Sequence, residues 1–121
     1  MNAAGASGEK GTLGVASPWA DYSGRMFGQT EGIAIFDSPR NPWHPSKWFT
    51  RDYGFFSPTP FNWLDDDGVR ISTGDSIRLQ YRVVVHAGDA NAAGIADLYR
   101  QWAEQQPCLL YTSDAADDRE V

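Results

Sequence analysis

His44 sits in NPWHPSKW between Pro42 and Pro45, which are expected to stiffen the backbone and hold Trp43 and His44 extended. An imidazole fixed in that way can move protons near neutral pH or ligate a metal, and it can equally hydrogen-bond to hold its own loop in shape. Arg51, in FTRDYG, presents a planar fork of donors suited to a carboxylate or to sugar hydroxyls. His44 and Arg51 are therefore the candidate catalytic residues. The same stretch supplies candidate binding groups. Trp43 or Trp48 can stack on the apolar face of a sugar ring, with Asp37, Lys47, Asp52 and Tyr53 near its hydroxyls. Arg51 and Asp52 are as apt to pair with one another or with loop backbone.

A second polar set lies in DSIRLQYRVVVH, where Arg78, Gln80, Arg82 and His86 alternate along one face of a strand at steps of roughly 7 Å. Arg78, Arg82 and His86 can bind carboxylates or sugar hydroxyls, although a solvated outer sheet face is the favoured reading. The two histidines are too far apart in sequence to make a metal motif by spacing. Cys108, the lone cysteine, excludes an intrachain disulfide framework and a cysteine-based zinc cage. These residues give no reason to expect a metal site or a cofactor.

Such side chains need a scaffold, and the pattern of the chain suggests one. Residues 37–63 hold eight of the sixteen aromatic residues and five of the seven prolines. Most of those rings must be core, because together they would make too large an exposed apolar patch. In residues 75–86, Ile77, Leu79, Tyr81, Val83 and Val85 alternate with polar positions, which predicts a strand with those five residues facing the core. GIAIFD (32–37) predicts a second strand, and residues 17–24 and 47–56 are weaker strand candidates. Ile95, Leu98, Tyr99 and Trp102 recur at helical spacing, predicting a helix over NAAGIADLYRQWAEQ that is capped by Asp89 or Asn91 and weakened by Gly94. LDDDGVR (64–70) reads as a hairpin turn. The expected fold is all-β, mainly an antiparallel β-sandwich, with one C-terminal α-helix.

At 121 residues the chain suffices for one domain. Residues 1–16 begin with the small, polar MNAAGASGEKGT and are expected to be disordered. Residues 108–121 change character abruptly, and CLLYTSDAAD resembles an in-frame translation of a transposon-type sequencing adapter, which suggests an assembled, metagenomic-type fragment. Without that tail the chain has 12 acidic and 9 basic residues, a net of −3 in place of −6. Neither value favours a nucleic-acid partner, which calls for a basic stripe. No run of apolar residues reaches the length of a spanning helix, so no membrane insertion is expected. No signal peptide is visible, and a periplasmic or secreted setting stays open.

WADYSG, GIAIFDSPRNPWHPSKWFTRDYGFFSPTPF, and TGDSIRLQYRVVVHAGD followed by LYRQWA together resemble a PmoA-like family of unknown function, widely labelled "methane oxygenase PmoA". The likeness runs from about Trp19 to Trp102 and resembles the C-terminal part of that family's domain, residues 17–107 here. The resemblance implies a soluble bacterial β-sandwich similar to galactose-mutarotase-like supersandwiches, with a carbohydrate as ligand. It also implies a missing N-terminal, histidine-rich half as the partner that completes the domain. The full-length protein is then expected to be a carbohydrate-active enzyme or a non-catalytic sugar-binding module, and the fragment to be inactive. A sandwich cut in half should expose strand edges and apolar faces and is expected to aggregate.

Overall fold

The computed structural model describes residues 1–64 and 68–106. The chain is built mostly from antiparallel strands, as expected. β1 (Trp19–Met26) and β2 (Gln29–Asp37) form a hairpin closed by Phe27 and Gly28, at φ 55° and 82°. Positive φ at both central residues is what a two-residue turn needs to match strand twist. Glycine adopts it freely, whereas Phe27 does so as a 97% exposed side chain with no packing to satisfy. β3 (Trp48–Thr50) and β4 (Phe56–Pro58) pair in a second, two-stranded sheet. β5 (Tyr81–Ala87) returns antiparallel to β2, giving the sheet order β1-β2-β5. Two helices complete the described chain, α1 (Gly8–Thr12) and α2 (Ile95–Glu104).

The core lies between the three-stranded sheet and α2. Trp19, Ala34 and Phe36 from the sheet meet Ala90, Ile95 and Trp102. Phe36 is the centre, edge-on to Tyr99 at 5.3 Å and tilted against Trp102 at 5.7 Å. The helical stripe is therefore real, but α2 starts later than its polar residues suggest. Asp89 Oδ1 accepts the Ala92 N–H at 2.8 Å in a turn before the helix, and Gly94 at φ 67° is the cap instead of an interior residue.

The long strand expected over residues 75–86 is shortened and turned over. Its ladder begins at Tyr81 because β2 ends at the facing Asp37, leaving Ile77 and Leu79 without a partner strand. Alternation persists within β5 with the faces exchanged. Val83 and Val85 are 62% and 77% exposed, while Val84 packs on the core beside Ala34. The helix covers the face that carries Ala34 and Phe36, and their register partners are Val84 and Arg82.

The strand expected over 47–56 is divided by a turn, with the Arg51 N–H donating to the Phe55 carbonyl at 2.9 Å. Residues 1–16, expected to be disordered, are packed on the sheet. Asn2 is 2% exposed, its Oδ1 accepts the Ala4 and Ala6 N–H groups, and it bridges to Ala20. A short polar segment can order when a side chain supplies the missing turn bonds. Residues 65–67 of the expected hairpin turn, and the tail from 107, lie outside the described residues.

Candidate functional site

Asp37 ends β2 at 1% exposure, and the loop after it winds around its carboxylate. Asn41 Nδ2 donates to Oδ1 at 2.7 Å, while His44 Nδ1 and the Ser46 N–H reach Oδ2 at 2.7 and 3.0 Å. Asn41 also accepts the Gln80 N–H at 2.7 Å and donates to its carbonyl, tying the loop to the entry of β5. Asp37 therefore has no free oxygen to offer a sugar. The Tyr99 hydroxyl donates to the Asp37 carbonyl at 2.9 Å, and burial together with the Asp37 charge pushes its pKa up to about 12. Tyr81 is raised for the same two reasons, burial first. Trp43 is not extended as expected but has φ 64°, because the residues that a following proline restrains are Asn41 and His44. Its ring meets Phe61 edge-on at 5.1 Å.

A second carboxylate–imidazole pair spans the large sheet. Ser23, Gly32 and His86 are register partners on β1, β2 and β5, and Asp21 lies two residues before Ser23 on the same face. Asp21 Oδ1 bonds His86 Nε2, and Oδ2 accepts from Ser23 Oγ. The side chains of His86 and Asp21 are 6% and 1% exposed. Gly32 makes the crossing feasible, since a Cβ there would stand 2.6 Å from His86 Cε1. His86 Nδ1 is buried with no hydrogen-bond partner among the described residues.

Asp21 and Ser23 also form part of a cleft of about 360 Å³, within the range of small-molecule sites. Gly8, Glu9 and Thr12 of α1 form one side, and the turn from Thr50 to Phe56 forms the other. The sides are fastened together. Arg51 Nη1 donates to Glu9 Oε2 at 2.8 Å, the Glu9 N–H donates to Asp52 Oδ1 at 2.8 Å, and the Thr12 and Thr50 hydroxyls bond at 2.8 Å. Tyr22, Phe55 and Phe56 add aromatic surface, and Asp89 closes one end. Burial pushes the Met1 amine below its ordinary range, against the opposing charge of Asp21.

Of the expected site residues, Arg51 and Asp52 line this cleft; His44 and Trp43 do not. Trp48, expected as a possible stacking platform, is 1% exposed, with Nε1 donating to the Ser17 carbonyl at 2.8 Å. It is core because β3 turns it inward. Lys47 is exposed and pairs through its backbone with Ala16 and Thr59. Tyr53 stands 81% exposed on the turn between β3 and β4. The expected row on β5 is dispersed: Arg78 precedes the strand, Arg82 lies over the Trp102 ring at 5.8 Å, and His86 is buried on Asp21.

Sequence reasoning missed Glu9, Asp21, Ser23 and Asp89 as cleft residues. Glu9 fell in the segment set aside as disordered. Asp21 left a usable signal, since it shares a strand face with Trp19 and a carboxylate on a core-facing row requires a partner.

The fold and cleft define a β-rich protein with a small-molecule-sized depression, one of whose lining residues, Asp21, is held from behind by His86. Residues 1–100 match the model of a family of unknown function, DUF6807, and the chain belongs to that family. The match takes in the first eighteen residues, ahead of where the PmoA-like likeness begins, and it carries no PmoA name. Neither curated proteins nor solved structures give a match. Among the described residues, no three His, Cys, Asp or Glu side chains gather as a metal cage would, and no helix is long and apolar enough to cross a membrane.

Proposed function

We propose that this chain recognises a carbohydrate in the cleft between α1 and the β3–β4 turn, as a sugar-binding member of its family. The observation that carries the reading is the lining itself, where Tyr22, Phe55 and Phe56 stand beside Arg51, Glu9 and Asp52. Aromatic faces matched with planar arrays of donors and acceptors suit a ring that is apolar on one side and hydroxylated at its rim. The PmoA-like resemblance, with its carbohydrate setting, points the same way.

Binding is favoured over catalysis because Asp21 and Glu9 are engaged at both carboxylate oxygens, and a general acid or base needs an oxygen within reach of the reacting proton. Asp52 and Asp89 are each bonded through one oxygen and keep an acceptor for a hydroxyl. Titrating neutral and acidic mono- and oligosaccharides by calorimetry tests the proposal. Binding without turnover is expected, weakened on the order of tenfold by Arg51→Ala through loss of a charged hydrogen bond. Absence of binding by every saccharide class would contradict it.

A further inference from the structure

In the order β1-β2-β5, β5 pairs with β2 along one side, and among the described residues no strand pairs with the other. The far edge is treated differently. β1 is bridged at Ala20 by Asn2, and the Asp21 N–H donates to the Met1 carbonyl at 2.8 Å. Open edges are commonly blunted by proline, a bulge or charge. Tyr81–Ala87 contains no proline, lysine or acidic residue, and its register with β2 runs without a bulge. Its one guanidinium, Arg82, is drawn over Trp102 on the covered face. Val83 and Val85 face outward, and the Ile33 that partners Val85 in register is itself 43% exposed.

We propose that β5 is the surface through which two copies of this chain associate, their β5 strands pairing antiparallel about a two-fold axis at Val84. Charge and side-chain size both suit a second copy. Around that axis, Val83 of one copy lies beside Val85 of the other, Tyr81 beside Ala87, and Arg82 beside His86. No like charges oppose, because each His86 is held on the carboxylate of Asp21. A strongly acidic or basic partner would meet only apolar side chains on the outward face. The valines and Ile33 of both copies merge into one apolar strip, and each copy satisfies the free backbone groups of the other. An isologous contact of this kind closes on itself and gives a dimer.

Sedimentation equilibrium of the full chain over a micromolar-to-millimolar series tests the proposal. The mass should rise to twice that of the monomer, and the β5 amides should gain hydrogen-exchange protection in step. The double variant Val83→Lys, Val85→Lys should stay monomeric while keeping its circular dichroism and cooperative melt, since both positions point away from the core. A wild type that remains monomeric throughout would overturn the proposal and leave the face to a partner of other chemistry. A dimer that survives the two lysines, or a mass that climbs past two copies, would overturn it as well. Should the lysine variant unfold, exchange protection of β5 in the wild type at low and high concentration still decides, because a dimer through another surface leaves it unchanged.

Discussion

Asp37 and Asp21 each hold a histidine, and the two pairs organise the molecule on different scales. The Asp37–His44 pair is local, seven residues apart, and gathers Asn41, His44 and Ser46 around one loop. The Asp21–His86 pair is separated by 65 residues and ties β1 to β5 across the central strand. A local pair shapes a loop that could loosen while the sheet persists. A cross-sheet pair has no such freedom, because it exists only when three strands are in register and Gly32 leaves the space.

The contrast is sharpest in the cost of removing each carboxylate or histidine. Asp21→Ala leaves His86 buried with neither nitrogen bonded, so a loss of about 3–5 kcal/mol is expected in denaturant unfolding. Gly32→Ala keeps both partners and forces a Cβ against the imidazole, with an expected cost of about 1–3 kcal/mol. If Gly32→Ala were neutral, the crossing would not be as tight as described. His44→Ala should cost about 1 kcal/mol in global stability. Its larger effect should appear in limited proteolysis, as faster cleavage within residues 38–46 while β2 and β5 stay protected.

A further expected effect is confined to alkaline pH. Tyr99 is raised from its ordinary 10 to about 12, so the folded state keeps its phenol proton longer than the unfolded chain does. The stability this contributes is complete below pH 10 and is lost as pH rises toward 12. Tyr99→Phe should flatten that decline in stability and remove the latest-titrating phenolate from the absorbance curve.

The same contrast explains what could be read in the sequence. The α2 stripe was legible because Ile95, Tyr99 and Trp102 repeat at a spacing set by the helix itself. His44 was legible as a residue of interest with two readings, proton chemistry and loop-shaping, and its partner Asp37, though only seven residues away, was not identified. His86 was visible as a residue of interest but not as a partner of Asp21, since that contact depends on the register of two strand pairs. The faces of β5 were reversed because Val83, Val84 and Val85 are all apolar. Alternation therefore gave the period and left the phase to Ile77 and Leu79, which lie beyond the ladder. The cleft was partly hidden for a related reason. Glu9 pairs with Arg51 only after a short polar segment folds back on the β3–β4 turn.

The two regions also make opposite claims about ligand. The proline-rich loop around His44 and Trp43 has the composition expected of a binding wall, while the cleft at Arg51 and Tyr22 has the concave shape. Amide and aromatic chemical-shift mapping during a saccharide titration compares them directly in one sample. Recognition in the cleft predicts shifts at Glu9, Tyr22, Ser23, Arg51 and Phe55, with Trp43 and His44 unmoved. Shifts confined to Trp43, His44 and Phe61 would contradict it.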